Sequence, residues 1–225
     1  MLQRAFSVVA VVFFLTGAAF AQPDSAPEPQ EQTSKHILGI IPNFRTIPEM
    51  KNYQPVTAKE KVSIASQDAF DRGTIGLAVL FAAQSQLSNG NPSFGHGVPA
   101  FAKYAATSWG DYVIGDYMTE AVFPVLLHQD PRFFRRGKGS TLSRLSYAAG
   151  QIFITRGDNG HRQFNFSEVL GNSAAVAISN SYYADNRTAS DAVSKLGVQL
   201  GVDMTSNVLK EFWPDIERRF TKKRR

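Results

Sequence analysis

The chain has no cysteine. That excludes disulfides, thiolate nucleophiles, cysteine-based zinc sites and the lipidated cysteine of a lipoprotein, although an exporting compartment would permit disulfides. Histidine is scarce as well, occurring only at His36, His96, His128 and His161. No two of these have the i, i+4 spacing of a helical zinc motif. Carboxylates on facing helices can hold metal in bundles, but the Glu-x-x-His partners they need are missing, so no metal site is expected. There is no Gly-x-Ser-x-Gly elbow, no Ser-x-x-Lys signature and no glycine-rich phosphate loop. No cofactor is expected, and no motif names a reaction.

The first residues carry one positive charge, Arg4, then an uncharged apolar run over 5–20 that ends in Ala19-Phe20-Ala21. That pattern is a cleavable secretory signal over 1–21, with cleavage before Gln22. A retained anchor is the other reading, but the run is shorter than the ~20 residues that span a bilayer. The mature chain is then expected in the periplasm or cell envelope, with membrane association left open. It has about 200 residues, the size of one ordinary domain.

The full chain has net charge +5, and losing Arg4 with the signal leaves +4. The excess is clustered. Arg132, Arg135, Arg136, Lys138 and Arg144 form a basic stretch; Arg218, Arg219, Lys222, Lys223, Arg224 and Arg225 form a basic tail. For an exported chain such clusters point to an anionic membrane or cell-wall surface, and no nucleic acid partner is expected. The stretch and tail also read simply as solvated charge blocks. The expected anion or membrane-surface contacts are Arg132, Arg135, Arg136, Lys138, Arg218, Arg219, Lys222 and Lys223.

Residues 22–35 have almost no bulky apolar side chain and three prolines, which predicts a disordered linker. Over 36–56 apolar residues return among Pro42, Pro48 and Pro55, a proline density that forbids a helix and predicts an extended strap. A helical domain is expected over 57–216 and a basic tail over 217–225. Thr57-Ala58-Lys59-Glu60 is a capping box that opens a helix, which continues or restarts through the apolar run 75–83. Residues 89–97 read as a loop, 100–107 as a short helix, and 111–128 as a longer one that Pro124 should kink or break. A helix over 142–154 follows, or a strand at its β-branched end, and then a turn over 156–163. Asn165-Phe166-Ser167-Glu168 and Thr188-Ala189-Ser190-Asp191 are caps for two more helices, the last running to about Phe212 before Pro214. The fold class is mostly α, a compact helical bundle with glycine-mediated close packing; a β-barrel is the lesser reading.

Residues 114–122 and 200–208 match in order, sharing glycine, methionine, threonine and valine, either by duplication of a hairpin or by chance. Glycine within a helix costs up to about 1 kcal/mol against alanine, so these sites suggest close backbone approach. Close packing is expected at Gly76, Gly115, Gly171, Gly197 and Gly201, and Gly201→Leu is expected to clash.

Two readings of His128 stand. With Asp130 and the nearby arginines it can act as a base in an envelope hydrolase, and in the other reading it only completes a helix end before Asp130-Pro131. Asp116, Glu120, Glu168, Asp203 and Glu211, with Asn172, Asn180 and Asn207, can form a buried polar layer whose simplest role is structural hydrogen bonding. The function favoured is a non-enzymatic exported envelope protein. The alternatives are the hydrolase and a helical protein embedded in the outer membrane.

The stretch Leu127-His128-Gln129-Asp130-Pro131-Arg132-Phe133-Phe134-Arg135-Arg136-Gly137, with Asn165-Phe166-Ser167-Glu168 and Leu209-Lys210-Glu211-Phe212-Trp213-Pro214-Asp215, resembles a group of exported bacterial proteins. The likeness covers most of 36–216. It implies export and carries no reaction, ligand or site.

Overall fold

The computed structural model describes residues 34–48 and 53–222, with side chains only as far as Phe220. The expected signal, nearly all of the expected linker and Lys223 lie outside the described residues, as does the side chain of Lys222. Among the described residues six helices pack together: α1 Ala58–Ala69, α2 Arg72–Leu87, α3 Gly97–Asp116, α4 Thr141–Gly150, α5 Phe166–Tyr182 and α6 Ala189–Lys222. Short strands fill the connections: β1 His36–Ile37, β2 Ile41–Pro42, β3 Thr46–Ile47, β4 Gln129–Asp130, β5 Phe133–Phe134, β6 Ile154–Gly157 and β7 Arg162–Phe164. The mostly α reading is correct, and among the described residues no barrel is formed.

The strap begins as the antiparallel β1–β2 pair, turned by Leu38 and Gly39 at positive φ. Its next strand, β3, lies parallel to β5. The start of the strap is pinned to two helices. His36 Nε2 sits 2.9 Å from Asp71 Oδ2, and Trp213 Nε1 on α6 donates to Ser34 Oγ at 2.7 Å. At the start of α2 the Ile40 carbonyl occupies the place a side chain at Gly73 would take.

Local chemistry sets the helix starts. Thr57 and Glu60 form a reciprocal capping box on α1, Asp71 accepts from Gly73 N at 2.6 Å to cap α2, and Asn165 caps α5. Thr188 and Asp191 make the same exchange of bonds before α6. The helix ends depart from expectation. Residues 100–107 and 111–128 are not two helices, since α3 runs on through a π-turn, Tyr117–Val122, into a last turn, Phe123–Leu126. Pro124 has no N–H to give, and the chain absorbs this by widening: Phe123 N bonds Met118 O, five residues back. The last helix likewise passes through Pro214 to Lys222.

Residues 142–154 are part helix and part strand. After α4 the chain makes a turn and then the β6–β7 hairpin, which pairs with β4 in the order β4-β6-β7.

The glycine expectation is right at one position and wrong at four. A Cβ at Gly171 would lie 2.9 Å from Thr119 Cγ2 and 3.0 Å from the Met118 backbone, so α5 crosses the π-turn at close range. At Gly76, Gly115, Gly197 and Gly201 a Cβ meets nothing within 4 Å. Close approach at those four is therefore not what the glycines provide: a Cβ there meets open space, so the expected clash at Gly201 finds no neighbour at the first side-chain atom. The matching segments do share one local device. Thr119 Oγ1 donates to Gly115 O and Thr205 Oγ1 to Gly201 O, each back by four residues.

The distribution of side chains is unusual for a bundle. Alanines dominate the apolar core of the helices (Ala65, Ala69, Ala78, Ala82, Ala100, Ala121, Ala148 and Ala175). Charged groups are buried beside them, including Lys61, Glu120, Asp130, Lys210 and Glu211. Large apolar side chains lie outside, among them Leu87 at 90% exposure, Val98 at 81% and Leu80 at 61%. Among the described residues no helix is long and apolar enough to cross a membrane.

Candidate functional site

The polar interior has three centres. The largest is a layer of charge where the strap, α1, α3, α5 and α6 meet. Arg45 enters it from the strap and pairs through Nη1 with Glu120 Oε1 at 3.2 Å. Glu120 sits in the π-turn, so the widened backbone around Pro124 is also what sets this carboxylate. Asn172 on α5 donates to Glu168 Oε1 at 3.1 Å and to Asp203 Oδ2 on α6 at 3.3 Å. Asp68 on α1, Asp116 on α3 and Lys210 on α6 complete the layer.

Burial dominates the electrostatics here. Glu120 is pushed up to about 8 by desolvation and then by Asp68, while Arg45 and Lys210 pull it back. Desolvation, followed by Asp203, holds Glu168 well above the ordinary carboxyl range; desolvation and then Glu120 do the same to Asp116. Asp68 is raised by burial against the pull of Lys210 and Arg45. Lys210 is lowered to about 8, first by desolvation and then by Arg45. For Arg45 itself burial acts downward, but Glu120, Glu168, Asp68 and Asp203 outweigh it and keep the guanidinium charged. A cavity of about 30 Å³ adjoins the layer, lined by Arg45, Thr119, Glu168 and Asn207 together with Asp130 and Arg132.

The second centre is Glu211, which has no solvent exposure. Its carboxylate accepts from Arg136 N at 2.8 Å, Gly137 N at 2.9 Å and Arg144 Nε at 2.8 Å. Arg135 Nε and Arg144 Nη2 both donate to its carbonyl at 2.8 Å. Asp215 joins them, 2.6 Å from Arg144 Nη2 and 3.2 Å from Arg135 Nη2.

The third centre is Asp130, whose side chain is fully buried. Arg132 Nη2 approaches its Oδ2 at 2.7 Å, and Tyr53 OH donates to the same oxygen at 3.0 Å. Burial and then Asp130 raise the Tyr53 phenol.

These contacts sort the residues singled out in the sequence. His128 and Asp130 do not form a catalytic pair. His128 follows the last turn of the α3 continuation at φ 52°, with its side chain 85% exposed, and its nearest carboxylate is Asp158 at 3.8 Å. Asp158 in turn is held by Lys61 at 2.7 Å. Arg132 and Arg135, expected to meet an external anion, are turned inward to Asp130, Glu211 and Asp215, so that expectation is corrected for both. Arg136, Lys138, Arg218 and Arg219 are exposed, although Arg218 also reaches Asp215 at 2.9 Å.

The expected polar layer exists with altered membership. Asp116, Glu120, Glu168, Asp203 and Asn172 are in it, and Asn207 lines the cavity. Glu211 belongs to the arginine centre, and Asn180 accepts from Lys195 at 2.7 Å. Arg45, Asp68 and Lys210 are the members that sequence reasoning missed. Each is a charge set among apolar neighbours, Phe44 and Ile47, Ala65 and Ala69, Leu209 and Phe212, and that setting was the available signal. Among the described residues no group of three or more histidines and carboxylates is arranged to hold a metal ion. No family model matches the chain, and no curated protein and no solved structure matches it either.

Proposed function

We propose that the chain is an exported, non-catalytic protein of the cell envelope whose helical domain works as a binding or structural module against a membrane surface. The observation that carries this reading is the partition of side chains. Leu80 and Leu87 on α2 and Val98 on α3 point outward, while arginine, lysine and carboxylates are paired inside. A large exposed apolar area rimmed by polar residues marks an interaction surface, and inward charge with outward apolar groups suits a lipid neighbour. The exposed basic groups Arg136, Lys138 and Arg219 add attraction for anionic headgroups. Envelope hydrolysis has no comparable support, because its histidine and aspartate are engaged separately.

Fractionation of cells expressing the full-length chain tests this, with membranes washed in high salt and then in alkaline carbonate. The expected result is mature protein beginning at Gln22 in the membrane fraction, resistant to salt because apolar contact is not screened. Recovery in the soluble periplasmic fraction would remove the membrane role, and recovery with its signal in the cytoplasm would remove export.

A further inference from the structure

The charge layer contains an imbalance that its geometry resolves. Asp68, Asp116, Glu120, Glu168 and Asp203 supply five carboxyl groups, and Arg45 and Lys210 supply two cations. Asp68, Glu120 and Glu168 are buried while Asp116 and Asp203 are half-buried, so full ionisation would crowd three buried carboxylates together with two more at their edge, against only two cations. Two carboxylate oxygens are also without any hydrogen-bond partner, Asp68 Oδ1 and Glu120 Oε2, on residues only 6% and 2% exposed. Those two side chains are within hydrogen-bonding reach of each other, and so are Glu168 and Asp203. A buried acceptor left unpaired costs about 1–3 kcal/mol, and a proton placed between two carboxyl groups turns one acceptor into the donor the other lacks.

We propose that this layer is a proton-binding site: at neutral pH Asp68 and Glu120 share one proton, and Glu168 holds a second. Two bound protons relieve the repulsion among the buried carboxyls around Arg45 and Lys210. Every element packed here contributes a charged or titratable group: Arg45 from the strap, Asp68 from α1 with Asp71 behind it, Asp116, Glu120 and Tyr112 from α3 and its π-turn, Glu168 from α5, and Asp203 and Lys210 from α6. The adjoining cavity of about 30 Å³ has room for about two waters, which give the protons a way in and out. In alkali, hydroxide takes the shared proton as water, the O–H bonding electrons stay on the carboxylate, and the newly charged interior draws water in. The site thus makes the packing of α1, α3, α5 and α6 responsive to pH.

Infrared spectroscopy of the folded full-length protein in heavy water tests this directly. Ordinary carboxyl groups are ionised at neutral pH, so a protonated-carboxyl band there reports only shifted groups. The expected result is such a band at about pH 7 that shrinks reversibly in alkali, and that Glu120→Gln and Glu168→Gln each reduce by about one half. If Glu120→Gln does not fold, Asp68→Asn reports on the same pair. Absence of the band in the wild type overturns the proposal, as does a band unchanged in folded variants of both pairs.

Discussion

Glu211 shows how much one side chain can organise. Its two oxygens fix the backbone amides of Arg136 and Gly137 and the guanidinium of Arg144, while its carbonyl receives two arginines. Removing one partner of a buried ion pair leaves the other uncompensated and costs roughly 3–5 kcal/mol. Glu211→Ala is therefore expected to lower unfolding free energy by about that much, measured by urea denaturation; a loss below about 1 kcal/mol would mean that water replaces the carboxylate. Two glycines give opposite expectations. Gly171→Ala drives a methyl against the Met118 backbone and should cost about 1–3 kcal/mol. Gly201→Ala meets open space within a helix and should stabilise by up to about 1 kcal/mol. Comparing the two melting temperatures checks both signs.

At the scale of elements, the beginnings of α1, α5 and α6 were legible, and the passages through Pro124 and Pro214 were not. A cap is a bargain between residues three apart, so Thr57, Asn165 and Thr188 announce themselves in the sequence. Thr57→Ala should cost about 1 kcal/mol by thermal unfolding, since it removes the hydroxyl that accepts from Glu60 N at the start of α1. Two prolines sit inside helices that continue past them, for different reasons. At Pro124 a π-turn takes up the missing donor. At Pro214 the neighbouring Glu211 carbonyl is held by Arg135 and Arg144, and buried Phe212 and Trp213 secure the helix there. The basic stretch was misread for a similar reason. Adjacent arginines look like a surface patch until the acidic partners, 75–80 residues away in α6, are seen.

For the whole molecule, the polar layer was partly visible as carboxylates among small residues, but a strap arginine and an α1 aspartate come together with them only through tertiary packing. That layer governs how stability responds to pH. The unfolded chain releases the Glu120 proton near 4.5, and the folded one keeps it to about 8. Across that window the native state binds more protons, so stability is greatest below it and falls as pH rises. Lys210 works the other way: folded, it loses its proton at about 8 against 10.5 unfolded, and stability recovers over that upper range. Denaturation midpoints taken from mildly acid to alkaline solution should pass through a minimum near pH 8, and Glu120→Gln should flatten the acid limb. A midpoint that climbs steadily from acid to neutral pH would contradict the assignment.

The bond from Trp213 to Ser34 joins positions 179 residues apart. Synthesis proceeds from the amino end, so the strap is made first, yet part of its seat on α6 is made almost last. Until that helix is complete the strap has only the near half of its cradle. Closing so long a loop adds little cost beyond that of a medium one, but it fixes an order of events: the earliest segment made is among the last to find its place.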